Sequence, residues 1–283
     1  MRVFAAADEL RAWRATAGNV GFVPTMGALH AGHLSLVERA VGENDAAVVS
    51  IFVNPTQFGP NEDYRSYPRT EERDLAMLES ARVAAAFVPS VEAMYPPDDA
   101  ALLDPGPIAA PLEGARRPGH FAGVVTVVAK LFDKVKPDIA YFGQKDFQQL
   151  RVLQALAADR YPWVQVVGCP IVRDPDGLAM SSRNAYLTAD RRASALALSR
   201  GLFATRDRWA SGERDPETLR AAVREVLSGE PGVALEYVSA ADPITLTELT
   251  APAERAVVSL AARVGNARLI DNVLLGMDVS DLE

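Results

Sequence analysis

Between Val20 and Gly168 short, almost uninterrupted apolar runs alternate with longer stretches of helical period, and that alternation limits the possible folds most. The runs are Val20 to Pro24, Ala46 to Val53, Ala84 to Val88, Ile139 to Phe142 and Val164 to Gly168. A strand with one wet face alternates apolar and polar side chains. A strand that is apolar throughout is covered on both faces, as in a parallel sheet between helices. Residues 33–41, 70–82, 124–135 and 147–158 carry apolar side chains at helical spacing and predict the crossover helices. Thr70, followed by Glu71, Glu72 and Asp74, predicts a hydroxyl cap with acids in the first turn. The expected fold class is α/β, a Rossmann-like doubly wound parallel sheet.

The pattern changes after Arg173-Asp-Pro-Asp-Gly177. Helical stretches over 189–210 and 216–227 precede strand-like segments at 233–240 and 256–264, which predicts a smaller C-terminal α+β domain. The expected organisation is a nucleotide- and substrate-binding domain over 1–173 and an α+β lid domain over 174–283. Among 283 residues, 49% hydrophobic and 23% charged is an ordinary globular balance that excludes overall disorder. A net charge of −8 argues against non-specific nucleic-acid binding, which needs basic surface. One cysteine excludes an internal disulfide and a thiolate-rich zinc site. Asp8, Glu9 and Arg11 come too early for a secretory signal, and no apolar run reaches the roughly 18 residues of a membrane span. A cytoplasmic protein with no membrane and no nucleic-acid partner is expected.

Three short segments carry chemistry. The first runs from Val23 to His33 and lies where the first long strand gives way to a helix. Ligands of doubly wound sheets bind beyond the carboxyl ends of the strands. Gly27 and Gly32 allow close backbone approach, the new helix offers free N–H groups, and His30 and His33 add imidazoles suited to phosphate oxygens. A zinc reading loses, because no third ligand is close in sequence. The second segment, Gly143-Gln-Lys-Asp146, follows the fourth run and so falls on the same sheet edge. There Gly143 permits a tight turn, Lys145 supplies a point charge and Asp146 could cap the next helix. In the third, Gly177 to Asn184, Ser181, Ser182 and Arg183 place two hydroxyls and a guanidinium together. Alone it reads as a Ser-Ser capping turn; beside the other two it suits polyphosphate charge.

Taken together, Pro24-Thr-Met-Gly-Ala-Leu-His-Ala-Gly-His33 and Met180-Ser-Ser-Arg183 resemble the paired HxGH and KMSKS-type signatures of the nucleotidylyltransferase superfamily. Within it the chain is most similar to the pantoate–β-alanine ligase family. That resemblance adds Phe52-Val-Asn-Pro-Thr-Gln-Phe-Gly59, Tyr67-Pro-Arg-Thr70, Arg117-Pro-Gly-His-Phe-Ala-Gly123, Gly143-Gln-Lys-Asp-Phe-Gln-Gln-Leu150 and Asp176 to Asn184. The motifs span about two-thirds of the chain, and the C-terminal remainder carries little that is diagnostic.

The resemblance implies an ATP-dependent ligase that joins pantoate to β-alanine through an acyl-adenylate, releasing AMP and pyrophosphate. It implies ATP contacts at Met26, Gly27, Ala28, Leu29, His30, Ala31, Gly32 and His33. Further ATP contacts fall at Gly143, Gln144, Lys145, Asp146, Val172, Met180, Ser181, Ser182 and Arg183. His33 is the catalytic candidate, a stabiliser of the pentavalent phosphorus and the departing pyrophosphate. Gln57 and Gln149 match pantoate-binding glutamines, with Gln57 also near β-alanine; an amide donates and accepts without adding charge. Mg²⁺ is implied on the phosphate oxygens with few protein ligands, so no metal-ligating residue is assigned. Asp74 reads equally as a carboxylate near that ion or as a helix-face acid beside Arg73. His120 is expected near the site without a catalytic role, Cys169 is expected buried and inert, and a homodimer is implied. Two other readings compete: an adenylyltransferase, which gives Gln57 and Gln149 no purpose, and a non-catalytic nucleotide-binding module, which gives His30, His33 and Lys145 none.

Overall fold

The computed structural model describes residues 1–60, 62–97 and 101–282. In chain order its first elements are β1 (Arg2–Phe4), α1 (Ala7–Arg14), β2 (Val20–Thr25), α2 (Ala31–Glu43), β3 (Ala46–Ile51), α3 (Glu71–Ser80) and β4 (Ala85–Phe87). Two single turns, α4 (Val91–Met94) and α5 (Glu113–Arg116), precede α6 (His120–Val135), β5 (Ile139–Gly143), α7 (Phe147–Arg160) and β6 (Gln165–Cys169). The chain continues with α8 (Ala189–Ala210), α9 (Pro216–Ser228), β7 (Val233–Ala241), β8 (Ala256–Val264) and β9 (Ala267–Leu275).

Strands β1 to β6 form one six-stranded sheet in the order β1-β4-β3-β2-β5-β6, with every pair parallel. Side chains alternate between its faces. Val23, Val49, Ile51 and Tyr141 pack with Leu36, Val37 and Ala40 of α2 and Leu78 of α3. Phe22 points the other way, with its ring edge-on to Phe132 of α6 at 6.4 Å between centroids. The fold is therefore the expected doubly wound α/β sheet. Phe22, Val23, Val48 and Val49 are fully buried, and each such side chain contributes about 1.5–3 kcal/mol through burial. The sheet winds from β2 through β3 to β4 in one direction and resumes at β5 on the other side of β2. Beyond the carboxyl ends of β2 and β5 lies the position where such sheets bind ligands.

Strands β7, β8 and β9 form a separate antiparallel sheet. One face, with Val258, Leu260, Ala262 and Val264, packs against Leu198 and Leu202 of α8 and Leu219 and Val223 of α9. Asp215 caps α9 by accepting from the Thr218 N–H at 2.7 Å, with Pro216 in the first turn.

Contacts divide the chain into one unit of Met1–Gly143 with Gln148–Cys169 and a second of Gln144–Phe147 with Pro170–Leu282. Arg173 bridges to Ala179 and pairs with Asp271, which ties residues 170–173 to the second unit. Five of these elements escaped the sequence reading: β1, α1, α4, α5 and β9. β1 has three residues, α1 buries only Leu10 among its eight, and α4 and α5 are single turns, while the apolar pattern of β9 is broken by Arg268, Asp271 and Asn272. Two local expectations are corrected. The Thr70 hydroxyl does not cap α3 but donates to the Asp74 carboxylate at 3.1 Å. Gly143 makes no turn of its own: it ends β5 opposite Cys169, and the chain turns only after it.

Candidate active site

In the first unit, Met26–His33 leaves β2 through consecutive left-handed residues, Gly27 at φ +77° and Ala28 at φ +50°. An L-residue such as Ala28 resists that conformation, so something must hold it. Asp74 does so from α3. Its two carboxylate oxygens accept the Ala28 N–H at 2.8 Å and the Leu29 N–H at 2.9 Å, and the side chain is completely buried. A Cβ on Gly27 would lie 3.0 Å from Asp74 Oδ2 and 3.1 Å from Ile51 Cγ2, which accounts for the glycine. Asp74 is thus not a solvated helix-face acid: its buried carboxylate anchors the loop.

His30 is the N-cap of α2, which starts two residues earlier than the sequence pattern predicts. Its Nδ1 accepts the Gly32 N–H at 3.1 Å, so that nitrogen carries no proton, and its ring stacks on His33 at 4.0 Å between centroids. Both imidazoles therefore stand at the N-terminus of a 13-residue helix, where partial positive charge favours an anion.

Gln57 lies in the 3₁₀ turn Pro55–Gln57 beyond β3, and its Nε2 is 3.4 Å from Met26 Sδ. The structure thereby brings a predicted pantoate residue to the predicted nucleotide loop. Buried Asn54 organises this turn. Its Nδ2 donates to Gln57 Oε1 at 3.0 Å and to the Gly123 carbonyl at 3.2 Å, while its Oδ1 accepts from Tyr95 at 2.7 Å and from Thr56 Oγ1 at 3.0 Å. A Cβ on Gly123 would be 2.4 Å from the Thr56 carbonyl oxygen, so glycine alone lets α6 approach. From the same helix His120 reaches the Gln57 carbonyl with Nδ1 at 2.9 Å, and its Nε2 faces Arg117 Nη1 at 3.0 Å. An arginine only donates, so Nε2 accepts, Nδ1 carries the proton and the ring is neutral. Burial, then the Arg117 charge, pushes the His120 pKa down to about 4. Arg117 in turn grips Glu62 with two 2.7 Å bonds, which hold that carboxyl below the usual range although burial acts to raise it.

Gln149 is half-buried in the first turn of α7. Its neighbour Gln148 is buried and committed to the Glu113 N–H and to the carbonyls of Ile108 and Pro111. Cys169 is buried at the end of β6.

In the second unit, Gln144–Asp146 form a 3₁₀ turn in which Lys145 Nζ lies 3.8 Å from Asp146 Oδ1. Val172 and Met180 face each other across a tight hairpin, with the Met180 N–H on the Val172 carbonyl at 3.0 Å and Gly177 at φ +93° in the turn. Ser181 caps the following 3₁₀ turn, Ser182–Tyr186, by accepting the Arg183 N–H at 3.3 Å. Ser181 is therefore, locally, the capping serine that its own neighbourhood in sequence predicts. Asp74, Asn54, Tyr95, Asp271 and Asn272 were not found from sequence as organising residues. Asn54 lies inside the Phe52–Gly59 motif, and Asp74 reads in sequence as an acid in the first turn of a helix.

A parallel sheet that reverses its winding at β2, with a histidine-capped helix opening there, defines a doubly wound α/β protein with an anion-suited ligand position at that crossing. The comparisons carry this to a family. Residues 2–274 match the family model described as pantoate-beta-alanine ligase. The pantothenate synthetase of Roseiflexus sp. (strain RS-1) is 55% identical over 276 residues, covering 97% of this chain and 99% of that protein. The crystal structure of the Thermus thermophilus pantothenate synthetase superposes with a TM-score of 0.92 at 48% identity, covering 96% of this chain and 99% of that one. The Francisella tularensis pantoate–β-alanine ligase, crystallised with a β,γ-ATP compound and β-alanine, gives 0.80 at 36% identity over 99% and 100%. The chain belongs to the pantoate–β-alanine ligase family. Among the described residues, no helix is long and apolar enough to cross a membrane.

Proposed function

We propose that this enzyme condenses pantoate with β-alanine in two steps at the expense of ATP. A pantoate carboxylate oxygen attacks the α-phosphorus, the bond to the β-phosphate bridging oxygen breaks, and pyrophosphate leaves. The β-alanine amine then attacks the acyl carbon of pantoyl adenylate, AMP departs with the bonding electrons, and the amine's proton is lost to give pantothenate. Activation is needed because oxide is a hopeless leaving group whereas AMP is a good one. The first step joins two anions, so its catalysis is mainly positioning and charge stabilisation.

The observation that carries this reading is the Met26–His33 loop, locked by Asp74 at the end of β2 with His30 and His33 stacked at the start of α2. We assign the nucleotide phosphates to that loop and the charge on the α-phosphorus and pyrophosphate to His33. Lys145 and Arg183 serve as neutralising cations, with Gly143 to Asp146, Val172 and Met180 to Arg183 as further nucleotide contacts. Gln57 and Gln149 are assigned to the pantoate oxygens, and Gln57 also to β-alanine. Mg²⁺ would ride on the triphosphate with water and supply charge neutralisation there. Asp74 has its oxygens committed to Ala28, Leu29 and Thr70, which supports its role as an anchor rather than a ligand. The enzyme is proposed to work in the cytoplasm as a homodimer, which light scattering on dilute protein tests. For the reaction, one AMP should appear for each pantothenate once β-alanine is added. Formation of ADP, or of a nucleotide joined to pantoate as the final product, contradicts the scheme.

A further inference from the structure

The C-terminal strand β9 carries no recognised motif, yet two of its residues are polar, adjacent and almost completely buried: Asp271 and Asn272. Burying an amide is costly unless it is hydrogen-bonded, so its partners show what it is for. The Asn272 Nδ2 donates to the backbone carbonyls of Gln144 at 2.9 Å and Lys145 at 3.0 Å. Its Oδ1 accepts from the Gln144 side-chain amide at 3.2 Å. One side chain therefore makes three bonds to a three-residue turn. Asp271 holds Arg173 with two bonds of 2.7 and 2.9 Å, and also accepts the Asn272 N–H at 2.8 Å. Arg173 extends to the Gly177 carbonyl at 3.2 Å, inside the hairpin that carries Val172 and Met180. Successive side chains of a strand point to opposite faces, so β9 holds the Lys145 turn from one face and the hairpin from the other.

We infer that Asn272 is a positioning residue for Lys145, its amide fixing the carbonyls of Gln144 and Lys145 so that the ammonium stands at one place. This rests on the reading of Lys145 as a phosphate cation. A lysine is a flexible point charge, and its value in a transition state depends on how well its backbone is fixed. Asn272→Ala should slow single-turnover formation of pantoyl adenylate at saturating ATP by about 10- to 100-fold, leaving the pantoate KM within about twofold. Asn272→Asp keeps the size but turns a carboxylate toward two carbonyl oxygens. It should be at least as slow as the alanine variant, whereas a packing role would leave it near wild type. Asn272→Ser, with one hydroxyl donor, should fall between wild type and alanine. In a Lys145→Ala background, Asn272→Ala should cost less than about threefold more, because the two act as a unit. Full additivity, or a near-wild-type Asn272→Asp, overturns the proposal. Amide hydrogen exchange provides a readout apart from turnover: Asn272→Ala should lose protection at Gln144 to Asp146 with that of β9 unchanged. If the wild type forms no pantoyl adenylate, the reading of the reaction fails. Exchange then still decides whether Asn272 holds the turn, and unchanged protection there refutes it.

Discussion

Acidification from about pH 7 to about pH 5 should weaken the first unit through one imidazole, His120. The ring is buried and neutral, donating from Nδ1 to the Gln57 carbonyl and accepting at Nε2 from Arg117. Burial first, then the Arg117 charge, lowers its pKa from 6.5 to about 4, against the opposing pull of the Gln57 carbonyl and Glu62. The unfolded chain takes up a proton near 6.5, and the folded chain does so only near 4. The stabilising contribution is therefore complete above the unfolded value and is lost as pH falls toward the folded one. Between about pH 7 and pH 5 the loss amounts to about 2 kcal/mol. The assay is urea unfolding of wild type and His120→Asn, whose amide can still reach the carbonyl but does not titrate. The variant is weaker at neutral pH, and the gap should narrow by about 2 kcal/mol at the acid end. A gap that does not change with pH refutes the assignment of a buried neutral ring. With three histidines in the chain, ring-proton NMR gives an independent check: the His120 signal must stay put at pH values where an ordinary imidazole titrates.

Three other outcomes follow from the first unit's geometry. His33→Ala should lower pantoyl adenylate formation by about two orders of magnitude or more with folding intact; an unchanged single-turnover rate removes His33 from the chemistry. Asp74→Ala strands the buried Leu29 N–H at about 1–3 kcal/mol and removes the acceptor of the part-buried Ala28 bond, so denaturant unfolding should register the loss and the KM for ATP should rise. A variant that matches wild type in both shows that the loop holds itself. Gly123→Ala places a methyl 2.4 Å from the Thr56 carbonyl and must displace the Gln57 turn. Steady-state kinetics should show about a tenfold rise in the KM for pantoate with that for ATP little changed.

The central sheet was legible because a strand buried on both faces has to be apolar throughout, as Val48 to Phe52 nearly are, with Ser50 the exception. β9 was not, because its polar pair is offset by long-range partners, Arg173 and the Lys145 turn, that no local pattern reveals. The same physics hid Asp74. Its acceptors serve N–H groups more than forty residues away in sequence, and from its own neighbourhood it looks like a first-turn acid. Glycines behaved unevenly. Gly27 and Gly123 are required by close approach, while Gly143 is an ordinary strand end. The contact of His120 with the Gln57 carbonyl could be seen only in the folded backbone, because 63 residues separate the two in sequence.

Pantoate activation by ATP before any amine arrives is the step on which the proposed chemistry most depends. Isotope exchange between pyrophosphate and ATP measures it. The enzyme should catalyse exchange with pantoate present and β-alanine absent, should stop when pantoate is withheld, and should release AMP when β-alanine is added. Exchange that proceeds without pantoate, or no exchange with it, contradicts an acyl-adenylate route on this scaffold.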